Sequence, residues 1–307
     1  MHTRLTPCMK SATGTAETGA IQLAFTDFKE ITKARLAISV VFSAVAGYLL
    51  GASEIRVVPL LLLVLGGYCM VGASNAYNQV IERSLDKRMH RTRHRPIPSG
   101  RMRVSTAMAI AIVMTLAGVA LLYQLNPRTA FFGALSIFLY TCVYTPLKTV
   151  TPLAVFVGAI PGAIPFMLGW VGATDNFGIE PGTLFMIQFF WQFPHFWALG
   201  WMLDEDYRRG GFKMLPTGNK DTGTVVQIIM YTIWMIVISI IPVFGITGRL
   251  SLSVPAAVLI FLMGLVMLWF ALRLYELRDR QSARSLMLSS VTYITLMQIV
   301  YVVDSFI

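Results

Sequence analysis

The stretch that decides the fold is SNAYNQVIERSLDKRMHRTRHRPIPSGRMR, Ser74–Arg103. It closes an apolar run with Asn75, Asn78, Glu82 and Asp86, then turns into Lys87, Arg88, Arg91, Arg93 and Arg95. At 100° per residue the four polar side chains and Tyr68 fall within about an 80° arc of one helical face. Arg and Lys beside an apolar run ordinarily mean only a positive anchor. Acidic and amide groups in register at membrane depth are too costly for that reading alone. Acidic oxygens next to guanidinium groups suit a diphosphate bridged by Mg²⁺. Mg²⁺ takes one or two carboxylates plus phosphate oxygens, and Arg binds phosphate bidentately.

Working outward, the chain of 307 residues is 56% hydrophobic and 13% charged, with a mean hydropathy of +0.66. Soluble domains seldom look like this. The apolar residues come in blocks of about 20, enough for a helix to cross a bilayer. Nine such spans are expected, at about residues 35–52, 57–81, 104–123, 129–145, 152–173, 183–203, 224–246, 252–273 and 285–305. The fold class is therefore an all-α, polytopic membrane bundle of nine transmembrane helices, one domain over residues 21–307. Residues 1–20 lack the apolar core of a secretory signal and read as a disordered tail. Ile21, Phe25, Phe28 and Ile31 at helical spacing, with Lys29 and Lys33 between them, suggest an interfacial helix.

Of the 25 Lys and Arg residues, 22 lie in the N-terminal segment, in the loops after spans two, four, six and eight, or at their edges. The exceptions are Arg56, Arg128 and Arg249. That bias places the N-terminus on the cytoplasmic side and the C-terminus opposite, in the cell inner membrane or its mitochondrial equivalent. It also accounts for the net charge of +10, so no nucleic-acid partner is expected; the partner is the lipid bilayer. Cys8, Cys69 and Cys142 lack metal-ligand spacing and imply no disulfide.

Three further constellations share the inner side. Tyr140, Tyr144 and Lys148 recur every four residues, with Pro146 expected to end or bend the helix between the last two. Alone, they read equally well as an aromatic belt with a snorkelling lysine. In the sixth span Gln188, Gln192 and His195 form a polar stripe, and Asp206 returns to that face if the helix continues. A lone His among aromatics is more often a hydrogen-bonded interior group than a ligand; three aligned polar residues favour a cavity wall. Asp204, Glu205, Asp206, Arg208, Arg209 and Lys213 form a second inner charge cluster. Spans two and six thus each end in acids followed by a basic loop, and two such clusters could hold metal on opposite sides of one diphosphate. In span five, Pro161 and Pro165 sit among Gly158, Ala159, Gly162 and Ala163, which permits a bend or close packing.

These residues resemble the UbiA superfamily of intramembrane prenyltransferases. Asn78-Gln-Val-Ile-Glu82-Arg-Ser-Leu-Asp86 is similar to that family's first aspartate-rich motif, and Tyr144-Thr-Pro-Leu-Lys148 to its YxxxK. Within the superfamily, Met89-His-Arg91-Thr92-Arg-His-Arg95-Pro96, the Gly158-to-Trp170 run, His195-Phe-Trp-Ala-Leu and Asp206-Tyr207 through Met214-Leu215-Pro216 resemble the branch that farnesylates haem. Glu82 stands where Asp is commoner. Met202 stands where other members place the first Asp of the second motif, which leaves Asp206, with Asp204 or Glu205, to ligate metal there.

The resemblance implies a bundle of the UbiA type, with farnesyl diphosphate as donor, haem b (protohaem IX) as acceptor and Mg²⁺ as cofactor. It implies metal ligands Glu82, Asp86, Asp206 and Asp204. Asn78 would orient a ligand, Arg91, Arg95 and Lys148 would clamp the departing oxygens, and Tyr144 would donate a hydrogen bond. Asn75, Gln188, Gln192, His195, Arg208 and Lys213 are the further substrate-binding candidates, with His195 a candidate contact for haem iron. Partners in terminal oxidase assembly would follow from such a product. Two rivals stand beside this reading: a prenyltransferase acting on an aromatic quinone precursor, and a transporter, since broken helices and midplane polar groups also mark transport sites.

Overall fold

The structure, a computed structural model, describes residues 12–307, with side chains described from Gln22 onward. Among these residues it is helical throughout. In chain order the elements are α1 Ala12–Thr32, α2 Ala34–Gly51, α3 Val57–Ile81, α4 Arg83–Asp86, α5 Val104–Tyr123, α6 Pro127–Phe138, α7 Thr145–Leu147, α8 Ala154–Thr174, α9 Ile179–Met202, α10 Asp204–Gly210, α11 Thr222–Ile240, α12 Val254–Leu277 and α13 Arg280–Asp304. A π-helical turn, Leu139–Tyr144, joins α6 to α7.

Of the tail expected over residues 1–20, the structure describes only residues 12–20. Residues 1–11 lie outside the described residues, but α1 begins at Ala12. The helix ends at Thr32, and Lys33, in the left-handed region at φ 49°, turns the chain into α2.

Among the described residues eight helices are long and apolar enough to cross a membrane, so the chain is a polytopic membrane protein. They match eight of the nine expected spans within a few residues. The other, α9, is of spanning length at 24 residues but less apolar than the eight, because Glu180, Gln188, Gln192 and His195 interrupt it. The fourth span runs further than expected, Pro127–Leu147. Asn126 caps its start, accepting from the Thr129 N–H at 2.8 Å with Pro127 in the first turn. Pro146 does not end it at Tyr144, because the π-helical turn absorbs the missing donor. Both the N–H and the hydroxyl of Thr145 bond back to the carbonyl of Tyr140, five residues earlier.

Neighbours in sequence pack side by side, α2 on α3, α3 on α5, α5 on α6, then α9 on α11, α11 on α12 and α12 on α13. α8 stands in the middle, touching α2, α6 and α9; 72% of its span is buried, against 22–44% for the others. In lipid there is no hydrophobic drive between helices, so close contact relies on small residues. A Cβ on Gly47 of α2 would meet the Phe166 carbonyl at 2.0 Å, and one on Gly169 of α8 would meet the Ala44 backbone. The two helices therefore touch backbone to backbone. Pro165 leaves the Pro161 carbonyl without its helical donor, and Ser136 of α6 supplies one at 3.3 Å. Leu65, Val113, Leu116, Leu262, Val266 and Trp269 face outward, exposed as lipid-facing side chains are.

Candidate active site

The polar end of α3 is buried. Glu82 is the residue at which α3 ends, and Asp86 closes the single turn of α4. Neither is solvated: Glu82 is 4% exposed and Asp86 0%. Each is met by a cation from elsewhere in the chain. Lys148, just past α7, donates to Glu82 Oε1 at 2.6 Å. Arg95 donates through one guanidinium nitrogen to both Asp86 oxygens, at 3.0 and 2.9 Å. The Thr92 hydroxyl bonds the Asp86 carbonyl at 2.9 Å and folds the basic loop back over the acid. Burial lowers the Lys148 ammonium from its ordinary range, with Glu82 pulling it back up. Burial raises the Asp86 carboxyl, and the Arg95 guanidinium opposes that without overcoming it.

Tyr140 and Tyr144 wall the site. The Lys148 ammonium lies 4.5 Å from the Tyr144 ring centroid, 5.9 Å from Tyr140 and 5.7 Å from Phe212, an aromatic cage for a cation. Tyr144 sits deep because Gly158 of α8 leaves room; a Cβ there would lie 2.6 Å from its ring. Asn78 points at Thr145, 3.4 Å away. Arg91 lies beside this group with its side chain exposed. Tyr207 of α10 faces it too, its hydroxyl pushed up by burial and by Glu82, against the pull of Arg91 and Arg95.

Other candidates are placed differently. Asn75 does not face the site: its amide donates to the Thr32 carbonyl at 3.1 Å. Arg208 pairs with Asp204 at 3.0 Å and reaches the Gly218 carbonyl and Asn219. Lys213 caps the Val150 carbonyl at 3.0 Å. Both side chains hold loops together, because a long cation in a loop finds orphan carbonyls before it finds a cavity. Asp206 accepts the His90 and Arg91 N–H groups at 2.8 and 3.2 Å and so ties α10 to the basic loop. Asp204 is occupied by Arg208 and Lys220. Glu82, Asp86, Asp206 and Asp204 are thus not gathered. Among the described residues no three Asp, Glu, His or Cys side chains converge as a metal cluster.

Deeper in the bundle, Gln188 accepts from Gln298 at 3.2 Å, and Gln298 meets Ser43 across α13 and α2. Gln192 donates to the Ala159 carbonyl at 2.9 Å. His195 stacks on Trp191, centroids 4.8 Å apart, and its Nδ1 lies 2.9 Å from Ser290 Oγ. A separate apolar cavity of about 530 Å³, lined by Phe132, Ile164, Phe185 and Ile238 among others, shares no residue with the acidic site.

Sequence reasoning missed three residues. Gln79 sits inside the first motif with no role of its own, yet it donates to the carbonyls of Glu30 and Ile31 at 3.1 and 2.9 Å. Tyr207 carried no periodic signal. Lys33 read as an interfacial anchor, whereas its ammonium lies within electrostatic reach of Glu82, Arg91, Arg95 and Lys148.

Fold and site together define an intramembrane bundle with a buried pair of carboxylates met by cations at one end. A solved digeranylgeranylglyceryl phosphate synthase superposes with a TM-score of 0.74 at 14% identity, covering 92% of this chain and 98% of that one. A UbiA homologue from Archaeoglobus fulgidus superposes with a TM-score of 0.72 at 12% identity, covering 91% and 98%. Likeness at such identity speaks for the fold. The UbiA prenyltransferase family model matches residues 40–296, and the chain belongs to that family. It is 64% identical over 289 residues to a protoheme IX farnesyltransferase of Flavobacterium psychrophilum, covering 93% of this chain and 96% of that protein. A protoheme IX farnesyltransferase of Christiangramia forsetii is 64% identical over 281 residues, covering 92% and 94%.

Proposed function

We propose that the chain transfers the farnesyl group of farnesyl diphosphate to a vinyl group of protohaem IX, giving the hydroxyethylfarnesyl haem. The acceptor follows from the two bacterial relatives. The donor end rests on one observation: two buried carboxylates, Glu82 and Asp86, surrounded by Lys148, Arg95, Arg91 and Lys33. A group with more cations than acids, its carboxylates buried, favours a multiply charged anion.

The C1–O bond of the donor breaks and the electron pair leaves with the diphosphate. Arg95, Arg91 and Lys148 face the oxygens on which that charge grows, so they lower the barrier more than they tighten ground-state binding. Tyr144, Tyr140 and Phe212 exclude water from the allylic cation. The vinyl π bond forms the new C–C bond, and water adds to the porphyrin-side cation with loss of a proton.

The donor set fits Mg²⁺, which keeps several waters and takes one or two carboxylates together with substrate phosphates. Glu82 and Asp86 would hold it once Lys148 and Arg95 turn to the diphosphate, with Asp206, bound to the His90–Arg91 turn, the acid offered by the second cluster. When bound, Mg²⁺ neutralises the leaving group. The A. fulgidus homologue is a complex with DMAPP and Mg²⁺, in keeping with this reading. The Lys- and Arg-rich loops support a cytoplasmic face for the site.

His195 is the proposed haem contact. The Ser290 hydroxyl donates to the Met287 carbonyl at 2.7 Å. It therefore accepts from His195 Nδ1–H and leaves Nε2 with a bare lone pair, the form that ligates iron. His195→Ala should weaken protohaem binding about tenfold or more by Soret titration, with pyrophosphate binding unchanged. An unaltered Soret titration removes His195 from the site. For the function itself, purified protein given farnesyl diphosphate, Mg²⁺ and protohaem IX should yield the farnesylated haem by mass spectrometry. Product from an aromatic quinone precursor instead would reassign the acceptor.

A further inference from the structure

One turn of the bundle departs from the α-helix to the wide side, and it lies at the site. Among the described residues the only π-helical turn is Leu139–Tyr144, between α6 and α7. At 100° per residue Tyr140 and Lys148 would stand about 80° apart around a helix. A π turn winds each residue less and brings them back toward one line. The result is the cage around the ammonium. The Tyr140 and Tyr144 rings lie 5.3 Å apart, and the Lys148 ammonium lies 5.9 and 4.5 Å from them.

Thr145 closes this turn. Its N–H and its hydroxyl both donate to the Tyr140 carbonyl, the hydroxyl at 2.8 Å. Pro146, the next residue, has no N–H to add. Hydroxyls elsewhere in the bundle, those of Ser74, Thr115, Thr174 and Thr232 among them, bond the carbonyl four residues back, a bond that suits the α-helical register. Thr145 reaches five back, and that bond suits the π register. With its proton committed to Tyr140, the hydroxyl can only accept from a third group. The group is the Asn78 amide, whose Nδ2 lies 3.4 Å away. Asn78 and Thr145 are each 2% exposed, so water does not replace either bond.

Asn78 stands one helical turn before Glu82, where α3 ends. Hence α3 grips the Tyr140–Lys148 segment at two levels, through Asn78 on Thr145 and through Glu82 on the Lys148 ammonium at 2.6 Å. The first contact carries no charge. What it fixes is where the second one falls. We propose that Thr145 is a positioning residue for the transfer: its hydroxyl, held by Asn78, locks the π turn that lines up Tyr140, Tyr144 and Lys148. This rests on the reading of the pocket as a diphosphate site. It gives Asn78 a task on the protein itself, in place of a ligand or metal-bound water.

The experiment uses the full chain in nanodiscs, with inorganic pyrophosphate and Mg²⁺ as the probe and steady-state kinetics beside it. Thr145→Val keeps the branched shape and the N–H and removes only the hydroxyl. It should weaken pyrophosphate binding and raise KM for farnesyl diphosphate about five- to tenfold, leaving KM for protohaem IX within about twofold. Thr145→Ala, which adds no bulk, should show the same loss, and Thr145→Ser should restore wild-type values. Thr232→Val removes a hydroxyl that is just as buried but bonded four residues back, and it should leave both KM values unchanged. Asn78→Ala should raise KM for farnesyl diphosphate, with Thr145→Val adding little to it, since the two act on one contact. Wild-type pyrophosphate affinity in Thr145→Val and Thr145→Ala overturns the proposal. So does an equal rise in KM for protohaem IX, or an equal loss in Thr232→Val, either of which marks a general loosening of the bundle. Additive losses in Asn78→Ala and Thr145→Val overturn the part given to Asn78. A wild-type chain that binds no pyrophosphate overturns the diphosphate reading instead, so the two failures are distinguishable.

Discussion

Two acidic clusters on the same side of the bundle look alike in sequence and are opposite in structure. At the end of α3, Glu82 and Asp86 are dry, and their partners come from far along the chain or from across a loop. At α10, Asp204 pairs within one helical turn with Arg208, Glu205 is exposed, and Asp206 is spent on two backbone N–H groups. The first arrangement stores charge where water cannot screen it; the second organises a loop. What separates them is burial and the origin of the partner. A buried pair loses solvation on both ions and repays it only through geometry, so it persists where function needs it. An i,i+4 pair at a surface forms in almost any helix.

The largest consequence falls on the first cluster. Asp86→Asn removes the counter-charge of Arg95 in a site where neither group is replaced by water. Turnover should fall by about two to three orders of magnitude, with Glu82→Gln close behind, while both proteins still insert. Asp206→Asn should cost less, about tenfold, by loosening the His90–Arg91 turn. Parallel kinetics at saturating Mg²⁺ decide the matter. A loss in Asp206→Asn as deep as in Asp86→Asn would place that carboxylate in the metal site and erase the contrast between the clusters.

The basic loop sharpens the same contrast one step down. Arg95 is the partner of a fully buried carboxylate, so Arg95→Ala should reduce both turnover and thermal stability. Arg91 is exposed and faces the pocket without a carboxylate of its own, so Arg91→Ala should reduce turnover about tenfold and leave stability nearly intact. Arg101→Ala should do the reverse. Its guanidinium bridges Asp27 at 2.9 Å and Glu30 on α1, so its loss loosens α1 before it touches chemistry. Equal loss of activity in all three variants, at equal melting temperatures, would reduce the loop to a positive anchor.

The bundle was legible because apolar blocks of about 20 residues leave few choices in a membrane. The four-residue spacing of Glu82 and Asp86 reads as one continuous helix, whereas α3 ends at Ile81 and α4 begins at Arg83. The wall of the site was not legible. Arg208 and Lys213 have the composition of ligands, but only the fold reveals the Asn219 and Val150 acceptors that claim them. Asn75 shares an arc with Asn78, yet the kink at Lys33 brings free carbonyls to one and not the other. Lys33 was hidden for the same reason. The turn there depends on a positive φ at a residue whose identity argues against one, with α3 side chains bound to the carbonyls just before it.

The smallest expected effect is the most discriminating for Asp204. The Asp204–Arg208 pair lies at 3.0 Å, with the Arg208 side chain 56% exposed and Lys220 a second, looser partner at 3.7 Å. Acid before base at i,i+4 also suits the helix dipole, since Asp204 is in the first turn of α10 and Arg208 in the last. Such an exposed pair contributes about 0.3–0.5 kcal/mol. Asp204→Asn should therefore shift the melting temperature by no more than about 1–2 °C, and less at high salt, where surface pairs are screened. Turnover should stay within about twofold of wild type, because the side chain points at Arg208 and not at Glu82. Melting and turnover measured together at low and high salt test this directly. A collapse of turnover without a change in melting would mean that Asp204 leaves Arg208 for the metal during the reaction, and the second cluster would then be a resting form of a true ligand set.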